Sequence, residues 1–288
     1  MTQGVESGRV PRQFQIRSRD GTALNVYRLP AQGTPRARVA MVHGFAEHGG
    51  RYEHVQRYLA ERGFETFVLD LRGHGRSSGA RTYVRSFADY TDDEEVYLRE
   101  VLGGSSLPAF ALGHSMGALV LARTLQTKEG LPRLDGAVLS SPFFGLGVKL
   151  PLWKTLAGKG LSRVIPGFRL PSDLDPGHLS RDPEVGRRYM ADPLVVKSAT
   201  SRWFTATMGA HKTVLRDASK ITLPVLMQHG DADSLASLEA AQRVYANLSG
   251  PKTFKLWSDM RHELFNEVDQ ERVFEHLHEW FAERMRVE

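Results

Sequence analysis

Two hydrophobic periods take turns along this chain. Gln13–Arg19 and Ala23–Leu29 alternate residue by residue about Arg19-Asp20-Gly21-Thr22, which predicts a β-hairpin with an Asp-Gly turn. Arg38–His43 and Glu65–Leu71 are short apolar runs of the kind found in the centre of a parallel sheet. Between them, Tyr52–Arg62 sets Val55, Tyr58 and Leu59 at helical spacing and stops at Gly63. Ser86–Leu102 predicts a helix opened by a capping-box pattern of Ser86 and Asp89 and closed by Gly103-Gly104. Ala109–Leu112, Gly136–Leu139, Pro224–His229 and Thr253–Trp257 predict strands; Met116–Gln126, Ser237–Leu248 and Glu271–Met285 predict helices. A hairpin followed by strand–helix units implies an α/β fold: a mostly parallel central sheet flanked by helices on both faces.

One stretch breaks the rhythm. More than eighty residues separate Leu139 from Pro224 without a clear strand, and connections of that length are rarely structureless in a compact domain. The expectation is an inserted helical cap over one end of the sheet. It divides the chain into a core of residues 1–146 and 219–288 and a cap of residues 147–218.

Composition narrows the chemistry. A chain of 288 residues with 41% hydrophobic positions can bury a sizeable core, so disorder is excluded. The absence of cysteine removes disulfides, thiolate nucleophiles and cysteine-held metals. A formal charge of +5 is mild, and no basic cluster interleaved with aromatics points to nucleic acid. Met1 to Asp20 lacks the apolar segment of a secretory leader, and no apolar run approaches the roughly 20 residues that span a bilayer. A soluble, cytoplasmic protein is expected.

Gly113-His114-Ser115-Met116-Gly117 fits G-x-S-x-G, the nucleophile elbow. A turn this tight between strand and helix needs small residues two before and two after the serine. In return the hydroxyl stands exposed at the head of a helix, and the amide of the next residue points at a developing oxyanion. The bare pattern means little in a chain with 27 glycines; a strand running in and a helix running out give it weight.

A serine of ordinary acidity needs a base, and the base an orienting acid. Eleven histidines compete. Reactive groups in such sheets gather at the carboxyl ends of strands, and His262, in the loop after Thr253–Trp257, stands there. His276 and His278 lie inside the last helix, His54 on an early one, and His114 leaves the elbow in another direction. His229, ending a strand, reads as a buried structural histidine. For the acid, Asp233 lies far enough into the loop after Pro224–His229 to turn back toward a histidine, whereas Asp231 reads as a turn residue. Ser140-Ser141-Pro142 offers no carboxylate at the other suitable strand end.

His43-Gly44-Phe45-Ala46-Glu47-His48-Gly49-Gly50-Arg51-Tyr52, Leu69-Asp70-Leu71-Arg72-Gly73-His74-Gly75-Arg76-Ser77, the elbow, and Arg261-His262-Glu263-Leu264-Phe265-Asn266-Glu267 follow one another in the chain. Together they resemble the monoacylglycerol lipase and lysophospholipase branch of the α/β-hydrolases, from about Phe14 to the C-terminus and most weakly in the expected cap. The resemblance implies Ser115 as nucleophile, Asp233 as acid, His262 as base, and the backbone N–H groups of Phe45 and Met116 as the oxyanion hole. Two departures fall in the catalytic loops: Ser234-Leu235 follow Asp233 where a bulkier apolar residue is common, and Met260 stands where a glycine is common.

The implied activity is that of a serine hydrolase that cleaves carboxylic esters of single-chain lipids through an acyl-enzyme, with monoacylglycerol as first substrate. Alternatives are a lysophospholipase, a general carboxylesterase, a proline-type aminopeptidase and a non-catalytic binding protein. No cofactor and no metal are implied. His262-Glu263-Leu264-Phe265-Asn266 lacks the second histidine of H-E-x-x-H, and Gly73-His74-Gly75 lacks the spacing of a dinucleotide loop. Ser115 argues against the aspartate-nucleophile dehalogenases and epoxide hydrolases of this fold. The expected partner is a small lipid ester. In Val148–Phe168, Leu150, Leu152, Trp153, Leu156, Leu161, Val164, Ile165 and Phe168 interleave with Lys149, Lys154, Lys159 and Arg163. That pattern suits packing on the domain, an acyl-chain tunnel, or transient contact of the cap with a membrane surface. Nothing in the sequence sets the oligomeric state.

Overall fold

The computed structural model describes residues 10–147, 160–171 and 174–285. Strands β1 (Arg12–Arg17) and β2 (Ala23–Leu29) form the opening hairpin; β3 (Ala37–Val42), α1 (Glu53–Ala60), β4 (Phe64–Leu69), α2 (Ala88–Leu102), β5 (Ala109–His114), α3 (Met116–Thr127) and β6 (Gly136–Ser140) follow. After a long excursion come β9 (Val225–Gly230), α6 (Leu238–Ala246), β10 (Lys252–Trp257) and α7 (Gln270–Arg284). The eight strands form one sheet in the order β1-β2-β4-β3-β5-β6-β9-β10. Strand β2 runs antiparallel to β1 and β4, and the remaining neighbours are parallel.

The apolar runs follow from burial on both faces. Ala37, Val39 and Met41 of β3 pack with Val55 and Leu59 of α1 and with Phe274, Leu277 and Phe281 of α7. Ala40 and Val42 of the same strand face the opposite core, with Tyr97 and Leu98 of α2, Leu119 of α3, and Ala241 and Val244 of α6. A strand clothed twice has no polar face to show. Because β3, β5, β9 and β10 share one direction, their carboxyl ends line one edge of the sheet.

The start of α2 departs from the sequence pattern. The helix begins after Phe87, which makes no side-chain cap, and Ser86 offers only its carbonyl, to the Asp89 N–H. The Asp89 carboxylate instead accepts the Arg85 N–H at 2.7 Å and pairs with the Arg85 guanidinium at 3.0 Å. The cation one residue upstream outcompetes the expected reciprocal cap.

Between β6 and β9 the described chain carries β7 (Arg169–Pro171), α4 (Pro183–Ala191), β8 (Ser198–Thr200) and α5 (Ser201–Arg216). The antiparallel β7–β8 ribbon was not legible as strand: at three residues each, its strands are too short for a period. Lys149, Leu150, Leu152, Trp153, Lys154, Leu156 and Lys159 of the basic amphipathic segment lie outside the described residues. Val164, Ile165, Phe168 and Leu170 are exposed. No helix among the described residues is long and apolar enough to cross a membrane.

Candidate active site

Ser115 sits between β5 and α3 with φ 53°, in the left-handed region that costs a side-chain-bearing residue strain. Its neighbours explain how so sharp a turn closes. A Cβ on Gly113 would lie 2.5 Å from the Gly117 carbonyl oxygen, and one on Gly117 would lie 2.3 Å from that of Val42. The Ser115 N–H is fixed by the Ser140 carbonyl at 2.9 Å, and its own carbonyl receives the Phe143 N–H at 3.0 Å.

The structure brings Ser115, His262 and Asp233 into a chain of hydrogen bonds. Ser115 Oγ is 2.8 Å from His262 Nε2, and His262 Nδ1 is 2.8 Å from Asp233 Oδ2. Asp233 Oδ1 accepts the N–H groups of Leu235 (2.8 Å) and Ala236 (3.0 Å), so its carboxylate is held on both oxygens. Burial alone would push the His262 imidazole down, but the charge and hydrogen bond of Asp233 outweigh it and hold His262 above its ordinary value. Burial likewise acts to raise Asp233, and His262 brings it below the usual carboxylate value.

None of the rival residues takes the place of His262 or Asp233 in that chain. Asp231 is exposed and accepts the Asp259 N–H at 2.7 Å. That turn carries its left-handed residue at Asp259 (φ 61°), which accommodates Met260 where a glycine is common. His54 meets the Phe265 carbonyl, while His276 and His278 pack on Trp257 and Phe64. His114 is buried with its ring 4.9 Å from that of His262, and burial together with His262 pushes it down to about 4. His229 is fully buried beside Asp233.

Next to the serine, the loop after β3 is clamped on both sides of one peptide unit. His43 Nε2 accepts the Leu71 N–H at 3.0 Å, so the ring proton sits on Nδ1 and is donated to the Gly44 carbonyl at 2.7 Å. The Gly44 N–H donates to Glu47 Oε1 at 2.6 Å. Holding the Gly44 carbonyl in a trans peptide aims the Phe45 N–H the opposite way. Among the described residues, no hydrogen bond within the chain uses the amides of Phe45 or Met116.

Glu47 belongs to a buried ionic network that sequence reading missed. It accepts from Tyr52 Oη at 2.8 Å and from Arg51, which also makes a bidentate pair with Glu263 at 2.7 Å on each arm. Burial would push the Glu47 carboxyl up, but Arg51, His114 and His43 hold it below the ordinary range. The i, i+4 spacing of Glu47 and Arg51 was a visible signal; the link to Glu263, more than two hundred residues away, was not.

These groups open into a cavity of about 380 Å³. Phe143, Leu146, Leu174, Trp203 and Leu235 supply apolar wall, and Asp175, His178 and Ser234 polar groups. Trp203 stacks on Phe45 with ring centroids 3.8 Å apart and donates Nε1–H to Met116 Sδ at 3.1 Å. Among the described residues no group of three or more His, Asp or Glu is arranged to hold a metal ion.

A mostly parallel eight-stranded sheet with a strained serine at the end of a central strand defines the class: an α/β-hydrolase. The family model described as "Serine aminopeptidase, S33" matches residues 33–269, and the chain belongs to that family of serine hydrolases. It is 30% identical to the monoacylglycerol lipase of Mycolicibacterium smegmatis over 87% of this chain and 90% of that protein. It is 32% identical to the human monoglyceride lipase over 92% of this chain and 88% of that protein. The crystal structure of Paleococcus ferrophilus monoacylglycerol lipase superposes with a TM-score of 0.81 at 30% identity, covering 90% of this chain and 99% of that one. Against a longer, uncharacterized relative from Dictyostelium discoideum, the chain spans 27% of that protein's length.

Proposed function

We propose that this enzyme hydrolyses the carboxylic ester of a single-chain lipid, a monoacylglycerol in the first instance. Ser115 is the nucleophile, His262 the general base, Asp233 the orienting acid, and the Phe45 and Met116 amides are the oxyanion donors. The observation that carries this reading is the Ser115–His262–Asp233 hydrogen-bond chain at the wall of an apolar cavity.

His262 takes the Ser115 proton as Oγ attacks the ester carbonyl, and the imidazolium that forms is stabilised by Asp233. The negative charge on the former carbonyl oxygen is met by the two uncommitted amides. Gly44 cannot serve, since its N–H is occupied by Glu47. His262 then gives the proton to the departing glycerol oxygen, leaving the acyl group on Ser115, and water activated by the same histidine releases the fatty acid.

Residues 147–218 form the cap and residues 1–146 with 219–288 the core in this reading. A cavity of about 380 Å³ lies toward the small end of ligand sites, roughly 300–1,000 Å³, which suits one acyl chain better than two or three. The exposed Val164, Ile165 and Phe168, with Arg163 among them, support transient contact of the cap with a membrane surface.

Fluorophosphonate labelling with mapping of the adduct tests the nucleophile; absence of label on Ser115 sinks the mechanism. A panel of monoacylglycerols, lysophospholipids, short p-nitrophenyl esters and N-terminal prolyl peptides tests the substrate. Preference for the prolyl peptide overturns the lipid reading while leaving the nucleophile intact.

A further inference from the structure

His229 is a fully buried histidine that the proposed mechanism does not use. It is the penultimate residue of β9, four positions before Asp233, and the chain turns back over it. Its Nε2 lies 3.3 Å from Asp233 Oδ2, the oxygen that also meets His262, and 3.4 Å from the Ala236 carbonyl. Its Nδ1 is buried without a hydrogen-bond partner.

These contacts fix the tautomer. Both neighbours of Nε2 are acceptors, so Nε2 carries the proton; Nδ1 has no acceptor beside it and carries the lone pair. A second proton would place a charged N–H against nothing, and burial accordingly pushes the imidazole below its ordinary value. The titratable groups facing it are Asp233, in the loop after β9, and His262, in the loop after β10. The Ala236 carbonyl belongs to the same short loop whose Ala236 N–H grips Asp233 Oδ1. One imidazole thus ties the far end of that loop and approaches the carboxylate.

We propose that His229 is a positioning residue for Asp233: its Nε2–H, hydrogen-bonded to the Ala236 carbonyl and lying 3.3 Å from Asp233 Oδ2, holds the loop that carries the acid in register with His262. The inference rests on the Ser115–His262–Asp233 reading above. It has a directional consequence. The positive end of an N–H dipole 3.3 Å from Oδ2 draws off part of the carboxylate's negative potential, so its removal lets Asp233 stabilise protonated His262 more strongly.

The test compares kcat and KM across pH for the wild type, His229→Leu and His229→Gln on one soluble ester. Glutamine sets an amide N–H near the position of Nε2, and leucine sets none. Loss of one buried neutral hydrogen bond predicts a fall in kcat of about 3- to 10-fold for His229→Leu. KM should stay within about twofold of wild type, since His229 does not line the cavity. The acid limb of kcat/KM should move up by about half a pH unit, and His229→Gln should recover most of the rate. An unchanged rate and limb in His229→Leu overturns the proposal. So does a His229→Gln enzyme as slow as His229→Leu with the limb unmoved, which would mean packing alone. If the leucine variant does not fold, His229→Asn replaces it: its amide falls short of Nε2, so asparagine should be slower than glutamine, and equality overturns the idea. Full activity in Ser115→Ala or Asp233→Asn overturns the triad reading itself, whereas the His229 outcomes alone leave that reading standing.

Discussion

The two walls of the cavity are held by different forces. The strand-end wall, with Ser115, His262 and the Gly44–Phe45 loop, rests on two cores whose strand residues are almost wholly buried. The wall from the proposed cap is mixed. Trp203, Ala210 and Val214 of α5 join the main core, whereas the stretch from Leu174 to Val196 has only a small apolar cluster of its own, Leu179, Val185, Tyr189 and Val195. Polar hooks do much of its fastening. Val196 N–H donates to the Ala46 carbonyl at 2.8 Å, and Asp192 meets His48 at 2.8 Å. Glu263 N–H donates to the Leu179 carbonyl, Ser180 to the Asn266 carbonyl, and Arg181 pairs with the buried Glu267. The hooks land on the loops after β3 and β10, proposed to hold an oxyanion donor and the base. The geometry around Ser115 is thus set by the sheet, where small displacements are costly, while the cavity wall contributed by the Leu174–Val196 stretch hangs from contacts that cost less to rearrange.

The sharpest way to break this division is at the chemistry. Ser115→Ala should lower kcat by about a million-fold and Asp233→Asn by about ten-thousand-fold, with unfolding midpoints little changed. Asp231→Asn should leave the rate alone, since that carboxylate caps a turn. A dead Asp231→Asn with a healthy Asp233→Asn would reverse the acid assignment.

Next in size is the core that supports the strand-end wall. Phe281 is fully buried, with its ring 4.5 Å from Phe110 and 5.6 Å from Phe64. Phe281→Ala should cost about 3–5 kcal/mol in chemical denaturation. A loss below about 1 kcal/mol would show that this face tolerates collapse and that the contrast between the walls is overstated.

Protonation sharpens the comparison within the strand-end wall. Asp233 holds His262 above its ordinary value, about 6.5 for a free imidazole. Protonated His262 cannot accept the serine proton, so kcat/KM should fall as pH drops through that raised value. Stability runs the other way: a raised folded-state value contributes stability that is complete below the unfolded value and is lost as pH rises through the folded one. For this one group, stability and activity therefore move in opposite directions across that window. By contrast His74, His114 and His211, all pushed below their ordinary values by burial, contribute stability that is lost as pH falls. In Asp233→Asn the residual activity should lose its acid limb toward lower pH, and a limb that stays put would assign it to another group.

Much of this wall was legible in the sequence because its physics is local or periodic. Strands buried on both faces must read as apolar runs, and an elbow without room for a Cβ must carry glycine at positions 113 and 117. The candidates Ser115, Asp233 and His262 could be picked because each follows a strand end. The network of Glu47, Arg51 and Glu263 escaped because two of its members are sequence neighbours and the third arrives only through the fold. His229 read as a plain core histidine for the same reason, since its nearness to Asp233 depends on how the loop after β9 turns back. The β7–β8 ribbon escaped because β7 is exposed and both strands are too short to show alternation.

The smallest effect belongs to the outer face of the proposed cap, and it separates folding from docking. Val164, Ile165, Phe168 and Leu170 are 42–79% exposed, so folding gains little from them. Ile165→Ser with Phe168→Ser should therefore change stability by no more than about 0.5 kcal/mol per site and leave turnover of a soluble ester untouched. If this face meets a lipid surface, the same double variant should sediment less with anionic vesicles and hydrolyse vesicle-borne monoacylglycerol more slowly. Added salt should weaken the wild type's vesicle binding as well, because Arg163 and Arg169 lie among these apolar residues. Unchanged sedimentation in the variant would return these side chains to ordinary surface and leave the cap as a wall of the cavity alone.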